Sequence, residues 1–129
     1  MGQQQLLLIV LGVIIVGIAV VVGINVFTAS AASSNRDAVI ADLTTIGSMA
    51  QGYYRKPTAL GGGNNSFTNW VVPAQLKKTA NMGADVAATV VADQVTLVGT
   101  GTETGNDGST KVKATMTVTP TAMTTVVDN

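Results

Sequence analysis

The chain is 129 residues long, with seven basic and seven acidic residues and neither cysteine nor histidine. That leaves no disulfide framework and no thiol nucleophile, removes the commonest general base and metal ligand, and gives no charge excess to attract nucleic acid. The acids are scattered singly except near Glu103 and Asp107, so no enzyme, cofactor or metal is expected and the composition points to a structural protein.

The first five residues, MGQQQ, carry no charged side chain. From Leu6 to Phe27 the run LLLIVLGVIIVGIAVVVGINVF has no charge and one strongly polar member, Asn25. At about 1.5 Å per residue a helix of this length spans about 33 Å, enough for a hydrocarbon core of about 30 Å. No Lys or Arg precedes the run, and it is longer than the core of a signal peptide, so it is expected to belong to the working protein. Gly12, Ala19 and Gly23 fall within about 20° of one helical meridian, between Val and Ile ridges. Such a line suits either a lipid-facing anchor that tolerates glycine or close contact with a neighbouring copy, and the second reading is preferred because β-branched ridges otherwise surround the helix.

Thr28 to Ser34 is small and weakly polar, with no helix breaker. Beyond it Val39, Leu43, Ile46, Ala50 and Tyr53 recur at four-three-four-three spacing, which marks one apolar stripe, with Asp37 and Asp42 away from it. No proline appears before Pro57, so one helix is predicted from about Gln3 to about Tyr54, some 75–80 Å long. Arg55-Lys56-Pro57 closes it, since cations suit the C-terminal dipole and proline disfavours helix in the residue before it.

Leu60 to Asn65 is a loop by composition, SFTNWVVP is expected to lie extended over the helix, and Pro73 to Thr79 to form one or two helical turns. From Val86 the period changes to two. Strands are predicted at 86–91 and 94–100, most clearly at Val112, Ala114, Met116 and Val118, and a short one at 124–127; Gly101 to Thr110 is read as the hairpin loop. The outward strand positions Thr96, Thr100, Thr115, Thr117 and Thr119 fit plain strand surface, head-to-head contacts or O-linked glycans. The stretch 103–108 is read as a tight turn rather than a calcium loop.

The fold class expected is therefore α+β: a long N-terminal helix, apolar then amphipathic, with a small antiparallel sheet packed on its second half. Residues 1–34 form a hydrophobic tail; residues 35–129 form a head containing the rest of the helix, a loop over 56–85 and a sheet over about 86–127. So small a head is marginal alone, and Val39, Leu43, Ile46 and Tyr53 are expected to supply its missing core.

This architecture, with MGQQQLLLIVLGVIIVGIAVVVGINVF as its motif-like part, resembles the type IV pilin family. The resemblance implies a bacterial or archaeal surface filament. Subunits wait in the cytoplasmic membrane, are drawn out by a pilus assembly machinery, and polymerise with their tails bundled inside and their heads outside. On that reading the chain is the major subunit of an extracellular filament and its chief partner is itself; a minor pseudopilin of a secretion or DNA-uptake apparatus and a single-span membrane anchor are the alternatives. Leu6, Leu7, Leu8, Gly12, Ala19, Gly23 and Phe27 would pack in the filament core. The family carries an acid at the fifth mature position to meet a neighbour's amino terminus; here that place holds Gln5, or Leu7 if the chain is cut after Gly2. Gln3, Gln4 and Gln5 would either hydrogen-bond between copies or face interfacial water. The proline found mid-tail in bacterial relatives is also absent, so an unbroken helix is expected.

Overall fold

The computed structural model describes residues 2–129. Helix α1 runs Gln3–Arg55 and is followed by strands β1 (Ala87–Val91), β2 (Gln94–Thr104), β3 (Lys111–Val118) and β4 (Met123–Val127). Single 3-10 turns occur at Thr58–Leu60 and Ala74–Leu76, the second entered through Pro73. The class is α+β, with one long N-terminal helix and a four-stranded antiparallel sheet. Contacts divide the chain after Ala31 into two units.

Among the described residues of the first unit the helix has no tertiary partner. All seventeen large apolar side chains from Leu6 to Phe27 are more than half exposed, from 53% at Leu11 to 75% at Phe27. The segment is long and apolar enough to cross a membrane. Its three glycines do not break it, and no proline interrupts the hydrogen-bond ladder.

In the second unit the sheet is a meander in the order β1-β2-β3-β4, each pair antiparallel. Ala92 and Asp93 alone join β1 to β2. The alternation of β2 and β3 places Val95, Leu97, Val112, Ala114, Met116 and Val118 on the face turned to the helix, all buried. Val39, Leu43, Ile46, Gly47 and Ala50 meet them from α1. Burying each of the larger aliphatics contributes about 1.5–3 kcal/mol, which a 3.6-residue stripe and a two-residue alternation deliver to one layer. The segment after the helix lies along this layer. Phe67, Trp70, Val72, Met82 and Val86 close its β1 side, and the Tyr54 and Phe67 rings sit 4.8 Å apart at 41°.

The loop after Pro57 stands where it was expected and does more than connect, and one strand boundary differs from expectation. The glycine-rich loop after Pro57 is the C-terminal cap of α1. Gly61 turns the chain with φ of 83°, after which the amides of Gly63, Asn65 and Asn64 donate to the carbonyls of Tyr53, Tyr54 and Lys56 at 2.7–2.9 Å. Those carbonyls are the groups a helix end leaves without intrahelical donors. The hairpin loop expected over 101–110 is shorter, because β2 continues to Thr104 after a register shift beyond Thr100. Gly101 there bridges to Met82, and Asn35 Oδ1 accepts the amides of Thr102 and Glu103, so the helix side chain extends the strand.

Candidate assembly surfaces

Three sets of residues singled out by the sequence occupy different surroundings. Gln3, Gln4 and Gln5 form the exposed first turn of α1, where the amides of Gln5 and Leu6 reach back to the Gly2 carbonyl. Leu6, Leu7, Leu8, Ala19 and Phe27 are exposed, as are Gly12 and Gly23. A Cβ added at Gly12, Gly17 or Gly23 would meet nothing within 4 Å. The first unit therefore presents an apolar cylinder with notches one methyl deep, which no group among the described residues fills.

Val39, Leu43 and Ile46 are fully buried. Tyr53 is half-buried at the edge of the same cluster, and its hydroxyl donates to the Thr68 carbonyl at 2.9 Å. These four meet the sheet and the covering loop. The helix also carries polar clasps on both sides of its apolar stripe. On one side Asn35 Nδ2 donates to the Asn81 carbonyl, and Asp42 accepts the Thr79 hydroxyl at 2.6 Å and Asn81 Nδ2 at 3.2 Å. On the other, Gln51 donates to the Thr119 carbonyl, Arg55 to that of Pro120, and Arg36 to Asn129 and Asn106. Sequence reading placed Asp42 off the stripe without giving it a partner, since its partners lie 37 and 39 residues away.

The turn at 105–110 is closed around a carboxylate. Asp107 accepts the amides of Ser109 and Thr110, the Thr110 hydroxyl and Asn129 Nδ2. The Thr110 hydroxyl first, and then the two amides, hold this carboxyl well below the usual carboxylate range. Its oxygens are committed within the turn. Among the described residues no group of three or more His, Cys, Asp or Glu converges.

The sheet face turned away from the helix carries an aligned row of threonines, because register places Thr89 opposite Thr96, Thr96 opposite Thr117 and Thr117 opposite Thr124. Thr96, Thr100, Thr115, Thr117 and Thr119 are half-buried by their neighbours. Thr115 donates to Asp128 and Thr119 to the Ala122 carbonyl. Lys111, Lys113 and Asp128 place the charge of this face at one end.

No family model, curated protein or solved structure matches the chain. One long N-terminal apolar helix followed by a small antiparallel sheet is consistent with a pilin-like arrangement.

Proposed function

We propose that this chain is the major subunit of a type IV pilus-like surface filament, a structural and non-catalytic role, with further copies of itself as principal partner. The observation that carries the reading is the uncovered apolar segment Leu6–Phe27 joined to a unit that has a small core of its own. Fifteen or so large apolar side chains in water would cost on the order of 25–40 kcal/mol, so the segment requires lipid or other apolar helices around it. Transfer from lipid to a bundle of like helices gains little hydrophobic free energy, because both surroundings are apolar. Close packing at the glycine notches and docking of the folded units would then hold the polymer, and water outside would prevent its dissolution. Repeating one non-closing contact generates a helical fibre.

On this reading the subunit waits in the cytoplasmic membrane, is extracted by an assembly machinery, and ends in an extracellular filament. Shearing cells without detergent, pelleting the released material and viewing it by electron microscopy tests the proposal. The expected result is fibres composed of this chain. Retention of all the protein in the membrane fraction overturns it in favour of a single-span anchor; sparse subunits within fibres of another protein would assign a minor pseudopilin role.

A further inference from the structure

The sheet ends in two edge strands. Among the described residues β1 pairs within the sheet only with β2, and β4 only with β3. The chain's own segment bonds beside both ends of β1, Val86 to the Lys77 carbonyl and Phe67 to the Ala92 carbonyl, and leaves the outer backbone groups of Ala88 and Val90 without a backbone partner. Edge strands are ordinarily guarded by charge, proline, a bulge or a covering segment. Neither AATVV of β1 nor MTTVV of β4 has a charge or a proline, and the pairing of each with its neighbour is regular throughout. Every residue of β4 is exposed, as are four of the five in β1. The helix-side layer is also unfinished beside β4. Met123 and Val127 share the inner face with Val118 and Ala114 and are still 36% and 46% exposed.

We infer that β4 of one copy pairs with β1 of the next, so that the sheet continues from subunit to subunit. This rests on the filament reading above and names its contact between folded units. The occupant follows from strand parity. Four alternating strands make β1 and β4 antiparallel to one another. A copy in the same orientation therefore brings its β1 antiparallel to β4, and the alternation runs on unbroken. A two-fold pairing of β4 with β4 would also be antiparallel, but it closes at two copies, whereas β4 on β1 is a non-closing contact that repeats along a fibre. Both edges are five residues long, and a face-preserving register pairs four residues of each with the other.

Charge selects the register. Placing Thr89 opposite Thr124 would set Asp85 against Asp128, and directly opposed like charges are unfavourable. Moving on by two residues, which preserves the faces, sets Thr89 opposite Val126 and Val91 opposite Thr124 and carries Asp85 past the end of the partner strand. On the helix side Ala88 then lies beside Val127, and Val90 beside Thr125, covering the Val127 end of the unfinished margin.

The native chain has no cysteine, so engineered pairs report without background. Full-length protein carrying Thr89→Cys and Val126→Cys, both at exposed positions, is assembled in cells, sheared off and mildly oxidised. A ladder of covalent oligomers beyond the dimer is expected on a non-reducing gel, with monomer only from either single variant. Val91→Cys with Thr124→Cys reads the same register independently. Fibres that pellet normally but give no ladder from either pair overturn the edge pairing and leave the filament reading intact. Dimers from Val126→Cys alone overturn it in favour of a two-fold contact. Absence of fibres, with the unaltered chain retained in the membrane, overturns the filament reading and the edge pairing together.

Discussion

The backbone of Gly99 on β2 lies directly against the side chain of Leu43 on α1. A Cβ at Gly99 would come within 3.2 Å of both Leu43 δ-carbons and 2.8 Å of Val39 Cγ1. Both neighbours are fully buried and branched, so neither can swing aside. Gly99→Ala is expected to destabilise the folded unit by about 1–3 kcal/mol, the usual cost of overpacking. Gly47 makes the reciprocal approach from the helix, where its nearest neighbours are the Met123 sulfur at 2.7 Å, Val118 Cγ2 at 3.1 Å and the Met116 sulfur at 3.2 Å, so only the buried Val118 has to give by a few tenths of an ångström. Thioether tips can move, and alanine gains up to about 1 kcal/mol of helix propensity over glycine. Thermal unfolding of the detergent-solubilised chain, followed by near-UV circular dichroism at Trp70, should rank Gly99→Ala well below Gly47→Ala. Equal melting points would contradict this packing.

Asn35 is the polar counterpart of that contact. Its Oδ1 accepts two strand amides, from Thr102 at 2.9 Å and Glu103 at 3.2 Å, while its Nδ2 donates to the Asn81 carbonyl at 2.9 Å. A typical net hydrogen bond is worth about 0.5–1.5 kcal/mol, so Asn35→Ala should cost about 2 kcal/mol. The damage should be local as well. Hydrogen exchange at the Thr102 and Glu103 amides is expected to rise at least tenfold more than at Thr96, which pairs inside the sheet without Asn35. Uniform acceleration along β2 would mean that Asn35 contributes only to global stability.

The Asp107 turn gives a signed pH dependence. A carboxyl whose folded pKa is depressed stabilises the fold fully above its unfolded value of about 3.9, and the contribution is lost as pH falls through the lower folded value. Replacing it in Asp107→Asn should flatten the loss of stability below about pH 4, measured as melting temperature against pH. The amide signals of Ser109 and Thr110, which donate to this carboxylate, should keep their positions in the native chain down to lower pH than an ordinary aspartate would allow. Melting curves of native and variant that decline in parallel from pH 4 to pH 2 would remove Asp107 as the cause.

The elements legible in the sequence were those with a sustained period. The stripe Val39, Leu43, Ile46, Ala50 and the alternation Val112, Ala114, Met116, Val118 fix the two faces of the core, because each periodicity is set by local backbone geometry. The packing of SFTNWVVP was recognisable from its aromatics, since Phe67 and Trp70 are buried, but the segment is not extended as expected: it turns at Thr68-Asn69, where the Trp70 amide donates to the Phe67 carbonyl and Asn69 has φ of 71°. The polar groups that tie distant segments together were not legible. Asn35 meets Thr102 across 67 residues and Gln51 meets Thr119 across 68, and nothing near either residue encodes its partner. The cap formed by Gly61 to Asn65 was hidden for a different reason: composition marks a loop but does not say that its amides return to the helix end. A usable signal did exist at Gly99 and Gly101, since glycine inside a strand often marks close backbone approach.

The apolar segment offers the cleanest separation of folding from assembly. At Gly12, Gly17 and Gly23 an added methyl meets nothing within the chain, so alanine there should leave the monomeric helix as stable or up to about 1 kcal/mol more stable per site. If neighbouring copies approach along the Gly12, Ala19, Gly23 line, a large side chain on it must push them apart. Gly12→Leu and Gly23→Leu are therefore expected to lower the yield of sheared fibres severalfold, with no fall in the membrane-held pool. Gly17 lies about 140° from Gly12 around the helix, and Gly17→Leu serves as the off-line control, with fibre yield close to native. Membrane levels report insertion and stability, and pelleted fibres report association, so the two effects are read separately. Equal yields from all three variants would show that the glycine line is not the contact and that the filament core packs on another face.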